Sequence, residues 1–201
     1  ATGAFHNCTG LGVLKIPESV TIIENGEFVS LQYVEVDKNN KKYDSREDCN
    51  AVIETKTNTL ISGCRHTKIP NTIVKIGYAA FYNCSLLKSV TIPSSVISIE
   101  FDAFQKCSSL TSITLPSSIT TIGDEAFAEC ESLSYLNIPK SIKIIAYSAF
   151  NHCNILDTIH YGGSVKEWKS ISRFESDILE AYQLPDFTTR IVKCTNGTVE
   201  L

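Results

Sequence analysis

The chain has 201 residues, 43% of them hydrophobic, with 18 basic and 22 acidic side chains for a net charge of −4. That apolar content is too high for a disordered chain, and no apolar run approaches the roughly 18–20 residues that a membrane-spanning helix needs. Without a block of Lys or Arg, the chain offers phosphate backbones no electrostatic footprint, so neither a generic nucleic-acid role nor a transmembrane segment is expected.

The first element in chain order sets a pattern that the rest repeats. Ala4, Phe5, Cys8, Leu11, Ile16, Pro17, Val20 and Ile23 return in kind further on. Phe28 follows Phe5 by 23 residues, but only two residues separate it from Leu31, so this second copy is three residues short. Val34 and Val36 take the paired apolar places of that copy. Their next equivalent, Ile69, lies 33 residues after Val36, ten more than one period. The extra polar stretch predicts an inserted hairpin near 38–66. Its strands would be Ala51 to Ile53 and Leu60 to Ile61, around a turn in which Asn58 takes a positive φ.

From there the period is unbroken. Phe81, Phe104, Phe127 and Phe150 fall 23 residues apart, as do Cys84, Cys107, Cys130 and Cys153 and also Pro70, Pro93, Pro116 and Pro139. Ala103 to Glu125 is the cleanest copy. Within a unit, Val90-Thr91-Ile92, Ile113-Thr114-Leu115 and Leu136-Asn137-Ile138 alternate with period two, which predicts a short strand with its apolar residues inward and Pro ending it. Val96 to Ile99 and its copies predict a second short strand. Ala-Phe-x-x-Cys predicts a single helical turn or tight arc that inserts Phe, entered at Gly77 and Gly123 where a missing Cβ eases the bend.

A single unit buries too few apolar side chains to offset the entropy of ordering itself, so units must stack. The expected fold is a repeat solenoid of about seven coils over residues 1–161, β-rich, with short strands and single helical turns. Residues 162–201 are expected to cap it. Ser164 with Glu167 forms a capping-box signature, and Val165, Trp168 and Ile171 give the helix an apolar stripe. Ile191 to Cys194 predicts a last strand and Asn196-Gly197 a last turn.

The unit, with Ala-Phe-x-x-Cys-x-x-Leu and Ile-Pro-x-Ser-Val-x-x-Ile, resembles the BspA-type leucine-rich repeat of bacterial and protist surface proteins. Tyr43 to Pro70 is similar to the irregular coil of members from gut bacteria, and Tyr161-Gly162-Gly163 with Trp168 is similar to their terminal unit. The resemblance implies a right-handed leucine-rich-repeat solenoid at the cell surface or outside the cell, exported by a signal peptide not present in this chain, that binds a protein partner of a host or bacterial surface. It carries no catalytic residues to transfer. No Met occurs, so the chain is expected to be the repeat end of a larger exported protein.

The repeated cysteines occupy one inward rung and act as small hydrophobes. One period before Cys84 stands Ile61, and by the same count Cys64 takes the Leu rung. Cys49 and Cys64 lie equally far from the hairpin centre, where two thiols are favoured over a disulfide. No Cys-x-x-Cys pair supports zinc, and no metal or cofactor is expected. His152 beside Cys153 suggests a thiol and its base, but neighbours on an arc point apart, so no catalytic residue is expected and the chain is read as a non-enzyme.

What remains is the outward face of the first strand. Its flanking positions read Val13/Lys15, Tyr33/Glu35, His66/Lys68, Ser89/Thr91, Ser112/Thr114, Tyr135/Asn137 and Thr158/His160. Tyr33, His66, Lys68, Tyr135, Asn137 and His160 are the candidate partner-binding residues, because aromatic side chains are what interface hot spots use. A plain solvated β-face accounts for the Ser and Thr rungs equally well. The expected role is an adhesion or protein-interaction module, and the alternative is a spacer holding another domain off the cell surface.

Overall fold

The computed structural model describes residues 11–23, 31–146, 148–171 and 191–200. Ala4, Phe5, His6, Cys8 and Phe28 of the first two copies lie outside these. In chain order the strands are β1 (Val13–Ile16), β2 (Tyr33–Val36), β3 (Tyr43–Asp44), β4 (Ala51–Glu54), β5 (Thr59–Gly63), β6 (Lys75–Ile76) and β7 (Ser98–Ile99). They continue with β8 (Ser112–Thr114), β9 (Thr121–Ile122), β10 (Tyr135–Ile138), β11 (Ile144–Ile145) and β12 (Thr158–Tyr161). Helix α1 (Val165–Ser170), β13 (Ile191–Cys194) and β14 (Gly197–Glu200) follow. The result is a β-solenoid of about six turns with very little helix.

The regular coils build two parallel ladders. The second-strand ladder runs β6, β7, β9, β11, with Ile76, Ile99, Ile122 and Ile145 in register. The first-strand ladder joins β8, β10 and β12 through Ile113, Leu136 and Ile159. Period-two alternation of apolar and polar residues is what turns one side of each short strand inward.

The arc between second and first strands is not a helical turn. It is a run of tight turns in which Ala79, Asp102 and Glu125 have φ of 50°, 57° and 51°, and Asn83, Lys106, Glu129 and His152 have φ of 60°, 61°, 57° and 56°. Left-handed residues break helix propagation and free alternate amides. Ala80, Tyr82 and Cys84 N–H donate within their own arc to Gly77, Ala79 and Phe81. Ala79, Phe81 and Asn83 N–H donate to Phe101, Ala103 and Gln105 of the next coil, and the pattern repeats from Asp102, Phe104 and Lys106. A helix would have spent those donors internally and left the coils unjoined.

Inside the arcs the Phe side chains form one column. Neighbouring rings from Phe81 to Phe150 stack with centroids 4.9, 5.2 and 5.6 Å apart and planes within 9°. Phe81, Phe104 and Phe127 are wholly buried. Beside them the Cys107, Cys130 and Cys153 thiols donate to the carbonyls of Phe81, Phe104 and Phe127 at 3.2, 3.2 and 3.1 Å. The column ends on Gly63, where an added Cβ would fall 2.2 Å from the Phe81 ring. Gly123 is needed for close approach too, since a Cβ there would lie 2.6 Å from Glu100 backbone.

The inserted segment forms the expected hairpin, with Asn58 at φ 52°, and adds a third strand. β3 pairs antiparallel with β4 and β4 antiparallel with β5, which then joins β6 in parallel. Leu60 pairs with Ile76, a step of 16 residues instead of 23. The count carried back from Cys84 therefore fails at Ile61, which lies at an irregularity of the β4–β5 register and packs against a second core. Cys64 is wholly buried and donates to the carbonyls of Gln32 and Asn50. Cys49 and Cys64 are both free thiols.

β4 is a wall between two cores. Ala51 and Ile53 face the main cluster, which runs from Cys49 to Val192, whereas Val52 faces a smaller one with Ile16, Leu31, Val34, Val36 and Tyr43. At the other end, Ser164 Oγ accepts from Glu167 N–H at 3.3 Å while Ser164 N–H donates to the Glu167 carboxylate at 2.7 Å, closing the capping box on α1. Trp168 packs on Tyr161 with ring centroids 5.3 Å apart. β13 adds in parallel to β12, and β14 returns antiparallel beside it.

Candidate functional site

The first-strand face carries the candidate residues. Its ladder is split, which the sequence pattern did not anticipate: β1 and β2 form one pair and β8, β10, β12, β13 and β14 form a separate sheet. Val90-Thr91-Ile92 is not a strand. Directly after β2 the break follows from the insertion, whose side chains occupy the free edge of that strand. The Asn50 amide accepts from Val34 N–H at 2.8 Å and donates to Gln32 C=O at 2.9 Å, and Ser45 Oγ accepts from Val36 N–H at 3.0 Å. An amide side chain thus stands where a neighbouring backbone would pair, and the ladder restarts only at β8. The break leaves a shallow depression of about 380 Å³ lined by Ser89, Val90, Thr91, Ile92, Ser112, Thr114 and Pro116.

On either side of this floor a Tyr meets a His. Tyr33, 52% exposed, stacks on His66 with ring centroids 6.0 Å apart and planes 21° apart. Arg65 Nε–H donates to His66 Nε2 at 3.1 Å and steadies the ring. Tyr135, 45% exposed, meets His160 at 5.2 Å and 31°. Cross-strand register explains the second pair: Asn137 lies between Thr114 and His160, and Tyr135 stands on the same side of β10 as Asn137. Lys68 is exposed beside His66, as is Asn137 beside Tyr135. At the N-terminal end Lys15 and Glu35 pair at 3.2 Å while remaining mostly exposed, a contact of little energetic weight.

The face extends further than the pattern indicated. Ile191 lies beside Thr158 and Lys193 beside His160, so β13 adds a basic rung next to the Tyr135–His160 pair. Alternation in Ile191 to Cys194 had marked a strand, but nothing periodic tied its register to β12 across the intervening residues. Arg65 was equally hidden, since only its neighbour His66 falls on the outward rung. A second aromatic contact lies on the column following the second strand, where Tyr78 and Phe101 stack at 5.5 Å and 8°.

The chemistry of the buried cysteines is inert. Burial pushes Cys49 up to about 11 and both Cys84 and Cys153 up to about 12, and it raises Cys107 and Cys130 as well. A thiol held so firmly in its protonated form is a poor nucleophile. Cys153 is buried and donates to the Phe127 carbonyl, whereas His152 is exposed. Among the described residues no group of three or more His, Cys, Asp or Glu is arranged to hold a metal ion, and no helix is long and apolar enough to cross a membrane.

Parallel ladders, stacked arcs and a buried Phe column define a leucine-rich-repeat solenoid. The chain belongs to the BspA type leucine rich repeat family, whose repeat region matches residues 1–54 and 57–180 in six copies. No curated protein matches the sequence. Among solved structures, the fold is similar to the pneumococcal vaccine antigen PcpA, with a TM-score of 0.68 and 24% identity over 77% of this chain and 40% of that one. A leucine rich cell surface protein from Faecalibacterium prausnitzii A2-165 is 32% identical over 83% of this chain and 52% of that one, with a TM-score of 0.59. A leucine-rich repeat protein from Eubacterium ventriosum is 22% identical, covering 90% of this chain and 56% of that one, with a TM-score of 0.66. The chain therefore spans about half the length of these proteins, and 40% of the first.

Proposed function

We propose that the chain is a non-enzymatic, cell-surface module that binds a protein partner of a host or a neighbouring bacterium along its first-strand face. The observation that carries this reading is the placement of two exposed Tyr–His contacts at either side of a Ser/Thr floor with a depression between them. Aromatic side chains that project from a rigid strand lose little entropy on contact and serve as anchors, while the short hydroxyl rungs between them let a partner approach the backbone. Lys68, His66, Asn137, His160 and Lys193 supply the polar rim. The repeat family, together with relatives described as a cell surface protein and a vaccine antigen, supports a place outside the cell.

The test is binding of the purified chain to host cells, host matrix proteins and companion bacteria, with Tyr33→Ala and Tyr135→Ala as probes. Each substitution is expected to weaken binding at least ~10-fold, as for an interface anchor. Equal binding by both variants, or no binding to any of these surfaces, would reject the face and leave the chain as a spacer.

A further inference from the structure

A second surface lies on the column that follows the second strand of each coil. Tyr78 and Phe101 occupy this position in successive coils, and they are 50% and 40% exposed despite stacking on each other. The next rung, 23 residues on, is Asp124. Phe101 thus stands between an aromatic rung and an acidic one, and the Asp124 carboxylate of the latter accepts from Ser148 N–H of the following coil at 3.0 Å through Oδ1. Two more carboxylates belong to that group. Asp102 donates its N–H to the Asp124 carbonyl at 3.1 Å, and Glu125 accepts a hydrogen bond from Gln105.

Asp102 is the anomaly. It is only 8% exposed, and its Oδ1 has no hydrogen-bond partner. Burial pushes its carboxyl up to about 6, with the charges of Glu125 and Asp124 adding to the effect and Lys106 opposing it. The nearby ammonium groups are engaged elsewhere: Lys106 with Tyr82 and Glu129, and Lys75 with Glu100. A buried carboxylate with an unpartnered oxygen, raised by the charges of two neighbouring carboxylates and only partly offset by Lys106, is a negative site short of counter-charge.

We propose that Phe101, Tyr78, Asp124, Glu125 and Asp102 form a docking surface for an arginine-bearing basic segment of a partner protein. A planar guanidinium laid against the open side of the Phe101 ring gains a cation–π contact while its N–H groups reach the carboxylates, a pairing that an ammonium ion meets less well. Charge complementarity selects this occupant. The same carboxylates repel an anionic membrane, and the surface is separate from the Tyr33 to His160 face.

The experiment is fluorescence anisotropy with a labelled peptide of alternating Arg and Gly, alongside Lys-Gly and Glu-Gly peptides. Phe101→Leu keeps the apolar bulk and every charge, and Asp124→Asn keeps the acceptor that serves Ser148 N–H. Each is expected to weaken Arg-Gly binding at least ~10-fold, with Tyr135→Ala unchanged, and affinity is expected to rise between about pH 5 and 7 as Asp102 gives up its proton. Thermal melts establish that both variants fold. Loss in Asp124→Asn without loss in Phe101→Leu would reduce the effect to general charge attraction and overturn the proposal, as would equal affinity for the Lys-Gly peptide or no binding by the wild-type chain. Because Tyr135→Ala reports on the other face, failure here and failure of the proposed function are distinguishable.

Discussion

Between Gly77 and Leu156 the arcs are joined chiefly by backbone: alternate amides of one coil donate to carbonyls of the next, and the buried thiols add to the same ladder. In the insertion, side chains do the joining, with Asn50 and Ser45 taking up the edge of β2 and Arg46 tying Asp44 to Asn58. The regular coils share one core that continues to Val192, whereas the coils before the insertion share a small one in which six buried side chains are grouped among the described residues. Backbone joining tolerates almost any surface residue, so the regular coils can vary freely outside their inward rungs. Side-chain joining depends on single residues, and it breaks when one is changed.

Substitution in the regular coils should give the largest energetic loss. Phe104→Ala removes the middle of the stacked column and is expected to cost about 3–5 kcal/mol in urea unfolding, with neighbouring coils losing protection too. A loss under about 1 kcal/mol would mean that the column does not hold the coils together. The contrast is sharpened by Asn50→Ala, which strands the buried Val34 N–H at about 1–3 kcal/mol, whereas the Gln32 carbonyl keeps the Cys64 thiol as a donor. Its effect should be local. Hydrogen exchange should accelerate at residues 31–36 while residues 110–138 stay protected, and uniform acceleration would show that the two cores unfold as one.

The smallest expected effect is ionic and has opposite signs in the two regions. Asp102 in the regular coils is raised to about 6, above its ordinary value near 3.8, by burial and by Glu125 and Asp124, so the folded state takes up a proton first and stability rises as pH falls from about 7 towards 4. For Asp44 in the insertion, burial acts upward but hydrogen bonds from Arg46 and Thr55 outweigh it and hold the carboxyl below its ordinary value. Its contribution is present above about pH 4 and lost as pH falls through the lowered value. Melting curves of Asp102→Asn should lack the rise between pH 7 and 5 that the wild type shows. Those of Asp44→Asn should lie below the wild type at neutral pH and converge on it in acid.

How much of this was legible follows from periodicity. Residues whose roles recur every 23 positions declared themselves, so the Phe and Cys columns, the paired strands and the hairpin between apolar runs could all be read. The capping box on α1 was equally plain, because its two residues are three apart. Asn50 was not readable: an amide standing in for a missing strand has no second copy to compare it with. The arc geometry was also hidden, since left-handed backbone falls on Ala, Asp, Lys, Glu and His as well as Asn. At the candidate face, alternation gave the outward rungs but could not show that Tyr33 and His66 would touch across the enlarged coil. Lys193 escaped because its register with β12 is set in space, across residues that carry no repeat.

The thiol column has a consequence for how the protein meets its surroundings. Cys107, Cys130 and Cys153 are buried, and each is committed to a carbonyl of the adjacent coil. Attack on a disulfide-type reagent requires an accessible thiolate, and burial denies both the access and the ionisation. The thiol column is thus indifferent to redox potential, needing neither cross-links for its stability nor a reducing compartment for its protection. A chain rich in cysteine can in this way be built without oxidative folding steps along its column, and the sulfur of that column surfaces only when a coil opens.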